Sequence, residues 1–218
     1  MSLSPAKLSM RRRMLEWFDL ANHIYEPESD AMPLPPSAPR QLQHSRHVTC
    51  HGYEREDGMF DIEGRMTDRK TYAIDNLDRG GEIKAGEYIH NMSIRLTLDL
   101  DFLIHQVEAV IDDSPFTSCP TITARFKQLE GVRIAPGWNT KIRKLFAGTQ
   151  GCTHLTELLG PIATTAFQAT GTARRLRAEQ NPDATGGRNP LINSCHAMGE
   201  DTEVVRIRWP DQHRPSEK

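Results

Sequence analysis

The sequence predicts an α+β domain, an antiparallel meander of about four or five strands packed against two or three helices. Three observations carry this expectation. Asp57-Gly58 stands between two runs that alternate apolar and polar residues, the strongest short-range hairpin signal a chain can give. Residues 88–98 alternate throughout, with His90, Met92, Ile94, Leu96 and Leu98 on one face. Further on, Leu155, Leu158, Leu159, Ile162, Ala163, Ala166 and Phe167 recur at helical spacing, a broad apolar stripe that must pack on a sheet or on other helices.

Taken in order, the hairpin strands fall at about 47–56 and 59–67. A two-residue turn puts Tyr53 opposite Ile62 and Arg55 opposite Phe60, with His47, His51 and Met66 on the apolar face. Cys50, Glu54, Asp61, Glu63 and Arg65 then share the other face. The third strand is 88–98, and a turn at Asp99-Leu100-Asp101 leads to a fourth at about 103–111. After the Asp112-Asp113-Ser114-Pro115 break come helices at roughly 120–130 and 138–147, then the long helix at 152–178, which Pro161 is expected to kink or to start late. The β-branched run at 203–209 reads as a last strand.

The domain spans about 46–210. Before it, residues 1–45 hold a helix at about 4–25 and a proline-rich arm, Met32-Pro33-Leu34-Pro35-Pro36-Ser37-Ala38-Pro39, that cannot continue a helix. The helix and arm together are suited to reach a neighbouring subunit, which leaves a homo-oligomer open without fixing the oligomeric state. Residues 180–190 read as a loop and 211–218 as a tail.

At 218 residues the chain is long enough for one domain with its own core. Lys and Arg total 27 against 29 Asp and Glu, which gives no electrostatic reason to expect nucleic acid or an anionic membrane as partner. The basic runs Arg11-Arg12-Arg13 and Arg174-Arg175-Leu176-Arg177 read as solvated helix faces. No apolar stretch approaches a membrane span, and acids stand where a signal peptide would be apolar, so a cytoplasmic location is expected. In that compartment the four cysteines are expected to be free, catalytic or metal-bound rather than disulfide-paired. There is no Gly-rich phosphate loop, no G-x-S-x-G and no H-E-x-x-H.

The chemistry concentrates in Gly151-Cys152-Thr153-His154-Leu155-Thr156-Glu157-Leu158-Leu159, which sets a thiol and an imidazole at the first turn of the apolar helix. Unpaired N–H groups and the macrodipole favour a thiolate there. Cys119 sits in the same setting, followed by Pro120 at a helix start. With His90 at a strand start, Cys119 and Cys152 make a donor set suited to zinc or iron. A fourth position is open to His154, His51, Cys195, a carboxylate such as Glu157 or Asp61, or water; water would make the site catalytic. His47 is a further candidate. A buried free cysteine is ordinary core filling, and a strand histidine is more often hydrogen-bonded than ligating. The case rests on the three residues meeting.

Those residues also carry a resemblance. Tyr53-Glu54-Arg55-Glu56-Asp57-Gly58-Met59-Phe60, Ile89-His90-Asn91-Met92, the GCTHLxELL motif at 151–159 and Thr165-Ala166-Phe167-Gln168 resemble an uncharacterised bacterial domain family over about residues 46–210. The resemblance implies an association with the breakdown of aromatic or steroid-like compounds but no particular activity. A more distant likeness is to the NifU-like iron–sulfur scaffold family. Ile89–Leu96 is similar to the strand of its first cysteine, with His90 in place of the thiol, while Cys119 and Cys152 match its second and third cysteines. Met92 stands where the scaffold has an acid, which implies a stably held single metal rather than a transient cluster.

The leading expectation is therefore a metal-dependent lyase, decarboxylase or hydrolase acting on a small acid, aromatic acids included. His90, Cys119 and Cys152 would hold zinc or iron, with His154 or Glu157 as proton carrier. The rival expectations are a metal or iron–sulfur carrier and a noncatalytic binding domain whose cysteines are core.

Overall fold

A computed structural model describes residues 34–180, 189 and 191–216; the helix expected at 4–25 lies outside the described residues, as does most of the loop at 180–190. The chain divides into two units, Met1–Gln41 and Leu42–Lys218. Of the first, only residues 34–41 are described, and they form neither helix nor strand. The second is an α+β domain.

Its main sheet has four antiparallel strands in the order β1-β2-β5-β6: β1 is His44–Glu54, β2 Phe60–Lys70, β5 Tyr88–Leu98 and β6 Ile104–Asp113. Between β2 and β5 the chain makes a small excursion, in which β3 (Ile74–Asn76) pairs with β4 (Gly81–Ile83) around a short 3-10 turn, Leu77–Arg79. Strands of three residues are too short for an alternation that would announce this pair. After β6 come a 3-10 segment, Cys119–Leu129, and the helices α1 (Trp138–Leu145), α2 (Thr153–Ala169), α3 (Gly171–Gln180) and α4 (Glu203–Arg208).

The hairpin is where expected, but its register is not. Glu54 pairs with Phe60 and Gly52 with Ile62, one residue away from the two-residue-turn reading. The loop holds three residues. Arg55 donates its N–H to Met59 O at 2.8 Å, and Gly58 takes the left-handed conformation, φ +83°, that such a loop requires. Asp57 fixes the turn by accepting the Met59 N–H at 3.1 Å. Because side chains alternate across a strand, this one-residue difference exchanges the faces of β1. Cys50, Gly52 and Arg46 lie on the face shared with Gly64, Ile62 and Asp68, while His47, His51 and Tyr53 fall on the other.

Helix α2 covers the first face. Leu155, Leu158, Leu159, Ile162 and Ala166 are buried and meet Ile62, Met66, Met92, Ile94 and Leu96 of the sheet in one core. Two glycines let the helix come close: a Cβ on Gly64 would stand 2.6 Å from Ile162 Cδ1, and one on Gly52 would stand 2.4 Å from Ala169 Cβ. Helix α2 starts at Thr153 and continues past Pro161, and Leu159 O, two residues before the proline, accepts the buried Trp138 indole N–H at 3.0 Å. The single helix expected over 152–178 is two. Buried Thr170 donates its hydroxyl to Ala166 O at 2.8 Å and closes α2 before Gly171 opens α3.

The strand expected at 203–209 is helix α4. Thr202 caps it by accepting the Val205 N–H, and Glu203 supplies first-turn negative charge, so capping overrides the β-branched run. The 120–130 helix is a 3-10 segment held against β6. The chain beyond Asp211 stays attached as far as Arg214, whose N–H reaches Glu200 O at 2.8 Å.

The face of the sheet away from α2 is polar and tied across strands. Arg95 bonds Glu63 and Glu108, Thr97 donates to Asp61 at 2.6 Å, and Arg65 and Asp113 meet on Asn91. At the β5–β6 turn, Asp99 accepts the N–H groups of Asp101 and Leu103 at 2.8 and 3.0 Å and bonds His105 at 2.9 Å. Burial raises its carboxyl, but His105 and the two amides outweigh that and hold it below the ordinary 3.8. A folded-state value below the unfolded one stabilises above 3.8 and is lost as the pH falls through the folded value. Asp99→Ala is therefore expected to cost about 1 kcal/mol at neutral pH, with the gap to wild type closing in acid, as read by urea unfolding at pH 7 and at pH 3.

Candidate functional site

At one end of the covered face the apolar rows give way to polar residues. The row Val48, Met66, Met92 is followed by Arg46, Asp68 and His90, one from each of three neighbouring strands. The pairing shifts just beyond: Asp68 faces His90 but Arg69 faces Tyr88, so Ile89 is an extra residue. Such a bulge re-aims side chains at the end of a ladder. The first turns of α2 lie over the row and add His154 and Glu157, three residues apart on one helical face.

Asp68 is the centre. Its side chain is 1% exposed, and its oxygens accept four hydrogen bonds. Oδ1 takes Arg46 Nε at 2.8 Å and His44 Nε2 at 3.1 Å; Oδ2 takes Arg46 Nη2 and His90 Nδ1, each at 2.9 Å. That fills a carboxylate's accepting positions. Burial by itself raises the Asp68 carboxyl, yet Arg46, His90 and His44 prevail and bring it down to about 2. It is an anion at any working pH. Asp68 can only accept, so His90 carries its proton on Nδ1 and leaves the Nε2 lone pair free.

His154 stands against His90 with ring centroids 3.8 Å apart, its Nε2 3.9 Å from Asp68 Oδ2. Burial lowers both histidines; Asp68 pulls the other way, and the Arg46 charge adds to the lowering. Both rings are neutral at pH 7, the form that donates a lone pair to an ion or a proton. Arg46 also bonds Glu157 at 2.7 Å, joining sheet and helix over the site.

Among the described residues, one group of three metal-ligating side chains brings its donor atoms within 4.8 Å of one another: Asp68, His90 and His154. Two imidazoles and a carboxylate are a recognised ligand set for zinc and for non-haem iron. The expected set of His90, Cys119 and Cys152 does not come together in that group. Both thiols pack partly buried against the hydrophobic core. Cys119 opens the 3-10 segment beside β6, and Cys152 is the extended residue before α2, φ −104°, whose side chain makes no capping bond. His90 and His154 are brought together as donors, and Glu157 sits at the rim.

The remaining candidates lie elsewhere. His51 pairs opposite Glu63 and His47 opposite Thr67, on the polar face, which also holds Asp61. Cys195 is exposed before a short 3-10 turn. Cys50 is under α2, where burial raises its thiol and a bond to Thr165 offsets part of the rise. Asp68, Arg46 and His44 were missed. The usable signal was that Arg46, Asp68 and His90 each continue a core-facing alternation that is otherwise apolar, but only the correct hairpin register puts them in one row.

The profile of a domain family described as a protein of unknown function, DUF2889, matches residues 44–168, more than half of the chain. The chain belongs to the DUF2889 family. Its matched span begins at β1 and ends within α2, so it encloses the whole Arg46–Asp68–His90 row with His154 and Glu157. No curated protein and no solved structure matches this DUF2889 chain, and the likeness to the NifU-like scaffold gains no support from either comparison. Among its described residues, no helix is long and apolar enough to cross a membrane.

Proposed function

We propose that the protein is a cytoplasmic metal-dependent enzyme that holds zinc or iron on Asp68, His90 and His154. The observation that carries this reading is the convergence of the three donors within 4.8 Å around a buried carboxylate. Two neutral imidazoles and an anionic oxygen match what a divalent ion requires, and three protein ligands leave positions for water and substrate. An ion taken by Asp68 would compete for Oδ2 with His90 Nδ1–H and Arg46 Nη2, while Arg46 Nε and His44 would stay on Oδ1. The ion would polarise the carbonyl or carboxylate of a small acid, with Glu157 placed at the rim to carry a proton.

The test is elemental analysis of protein purified without added metal. Near-stoichiometric zinc or iron is expected, lost in His90→Ala and in His154→Ala and kept in Cys119→Ser and Cys152→Ser. Metal that follows the cysteines instead would overturn the assignment.

One observation favours a second reading. The four hydrogen bonds on Asp68 leave it no free acceptor, the condition of a carboxylate that orients a base. In that case Asp68 and His90 form a metal-free dyad whose Nε2 takes a proton from substrate. Absence of bound metal, with an activity that falls in both His90→Ala and Asp68→Asn, would decide for it.

A further inference from the structure

Beside this site the structure has an open cavity of about 400 Å³ between α1 and the first turns of α2. Its size falls in the range of small-molecule sites. The α1 side offers Ile142, Phe146 and Ala147 as apolar wall, with Arg143 among them. From α2 come Thr153, Thr156 and Glu157.

We propose that this cavity takes the substrate as a small monocarboxylate with an apolar body, the carboxylate on Arg143 and the body against Ile142, Phe146 and Ala147. The role as substrate pocket rests on the metal reading above.

Four features select that ligand. The charges lining the cavity are Arg143 and Glu157, and Glu157 is already paired with Arg46 at 2.7 Å, which leaves the guanidinium of Arg143 as the uncompensated charge. A guanidinium's fork matches a carboxylate in two parallel bonds. Thr156 lines the cavity with a buried Oγ1 that has no hydrogen-bond partner among the described residues, and turning that hydroxyl toward the cavity would give a ligand carboxylate a second donor. Last, the apolar wall of Ile142, Phe146 and Ala147 suits a carboxylate with a hydrocarbon body and gives an inorganic phosphate nothing beyond the one guanidinium. Glu157 belongs to both places: it lines the cavity and bonds Arg46, which holds Asp68. A ligand seated there lies against the group that borders the donor cluster.

Calorimetry on the full chain, with and without one equivalent of zinc, tests this with benzoate, hexanoate and inorganic phosphate as probes. Either carboxylate is expected to bind and phosphate is not. Arg143→Ala should weaken carboxylate binding about tenfold, and Ala147→Trp, which fills the cavity from an exposed position, should abolish it. Zinc stoichiometry should be unchanged in both variants. Zinc binding without carboxylate binding, or carboxylate affinity equal in wild type and both variants, overturns the pocket. Carboxylate binding that depends on Arg143 in a protein that holds no zinc overturns the metal reading and leaves the pocket standing.

Discussion

Replacing Asp68 by asparagine is expected to cost about 3 kcal/mol of folding stability and to abolish the metal binding proposed above. The carboxylate is nearly fully buried and is the counter-charge that Arg46 meets with two parallel bonds. An amide keeps the shape but cannot accept all four bonds, because its nitrogen is itself a donor facing donors. Arg46 and the two histidines then lose their shared partner in a place where only part of their surface reaches water. Arg46 retains Glu157, which is exposed and returns little. Urea unfolding with an unchanged m-value checks the stability loss. A cost below about 0.5 kcal/mol would mean that water already satisfies this cluster and that its geometry does not hold the sheet end together.

The second large effect concerns the approach of α2 to the hairpin. Gly52→Ala is expected to cost about 2 kcal/mol and to lower the melting temperature by about 4–8 °C. The new methyl would lie 2.4 Å from Ala169 Cβ, an atom with no rotamer to escape into, so either the helix end or the strand must move. The neighbouring Gly64 shows the same closeness to Ile162, whose side chain is fully buried. Space can be restored at Gly52 by taking the methyl from the other side. The pair Gly52→Ala with Ala169→Gly should recover most of the loss, apart from the roughly 1 kcal/mol that glycine costs a helix. If the double variant is no better than the single one, helix approach is not what requires glycine at 52.

Much of the fold was readable because alternation and helical spacing are local signals. Residues 88–98 were placed to the residue as β5, and the apolar stripe of α2 faces the core as its spacing required. What misled was finer chemistry. Asp57-Gly58 marks two-residue and three-residue turns alike, and only the three-dimensional loop shows which is made. That single residue decides whether His47 or Arg46 shares a face with Asp68. Val204, Val205 and Ile207 suggested a strand, whereas one threonine cap was enough to start a helix. Within the site, His90, His154 and Glu157 were legible because each sits at an element's beginning. The thiols drew more weight than their geometry supports, since a cysteine reads the same in sequence whether it ligates or fills a core. Asp68 could not be singled out, because its importance comes from partners 22 and 24 positions away on neighbouring strands.

The burial of Asp68 beside the two close imidazoles has a kinetic corollary. Asp68 is 1% exposed and its oxygens are held by Arg46, His44 and His90, so an ion reaching them would have to displace a bonded group. Association should then proceed in two steps, a rapid encounter at the rim followed by that displacement, and the observed rate in stopped-flow mixing should level off as ion concentration rises. For the ion proposed above, the same displacement would slow release and lengthen its residence.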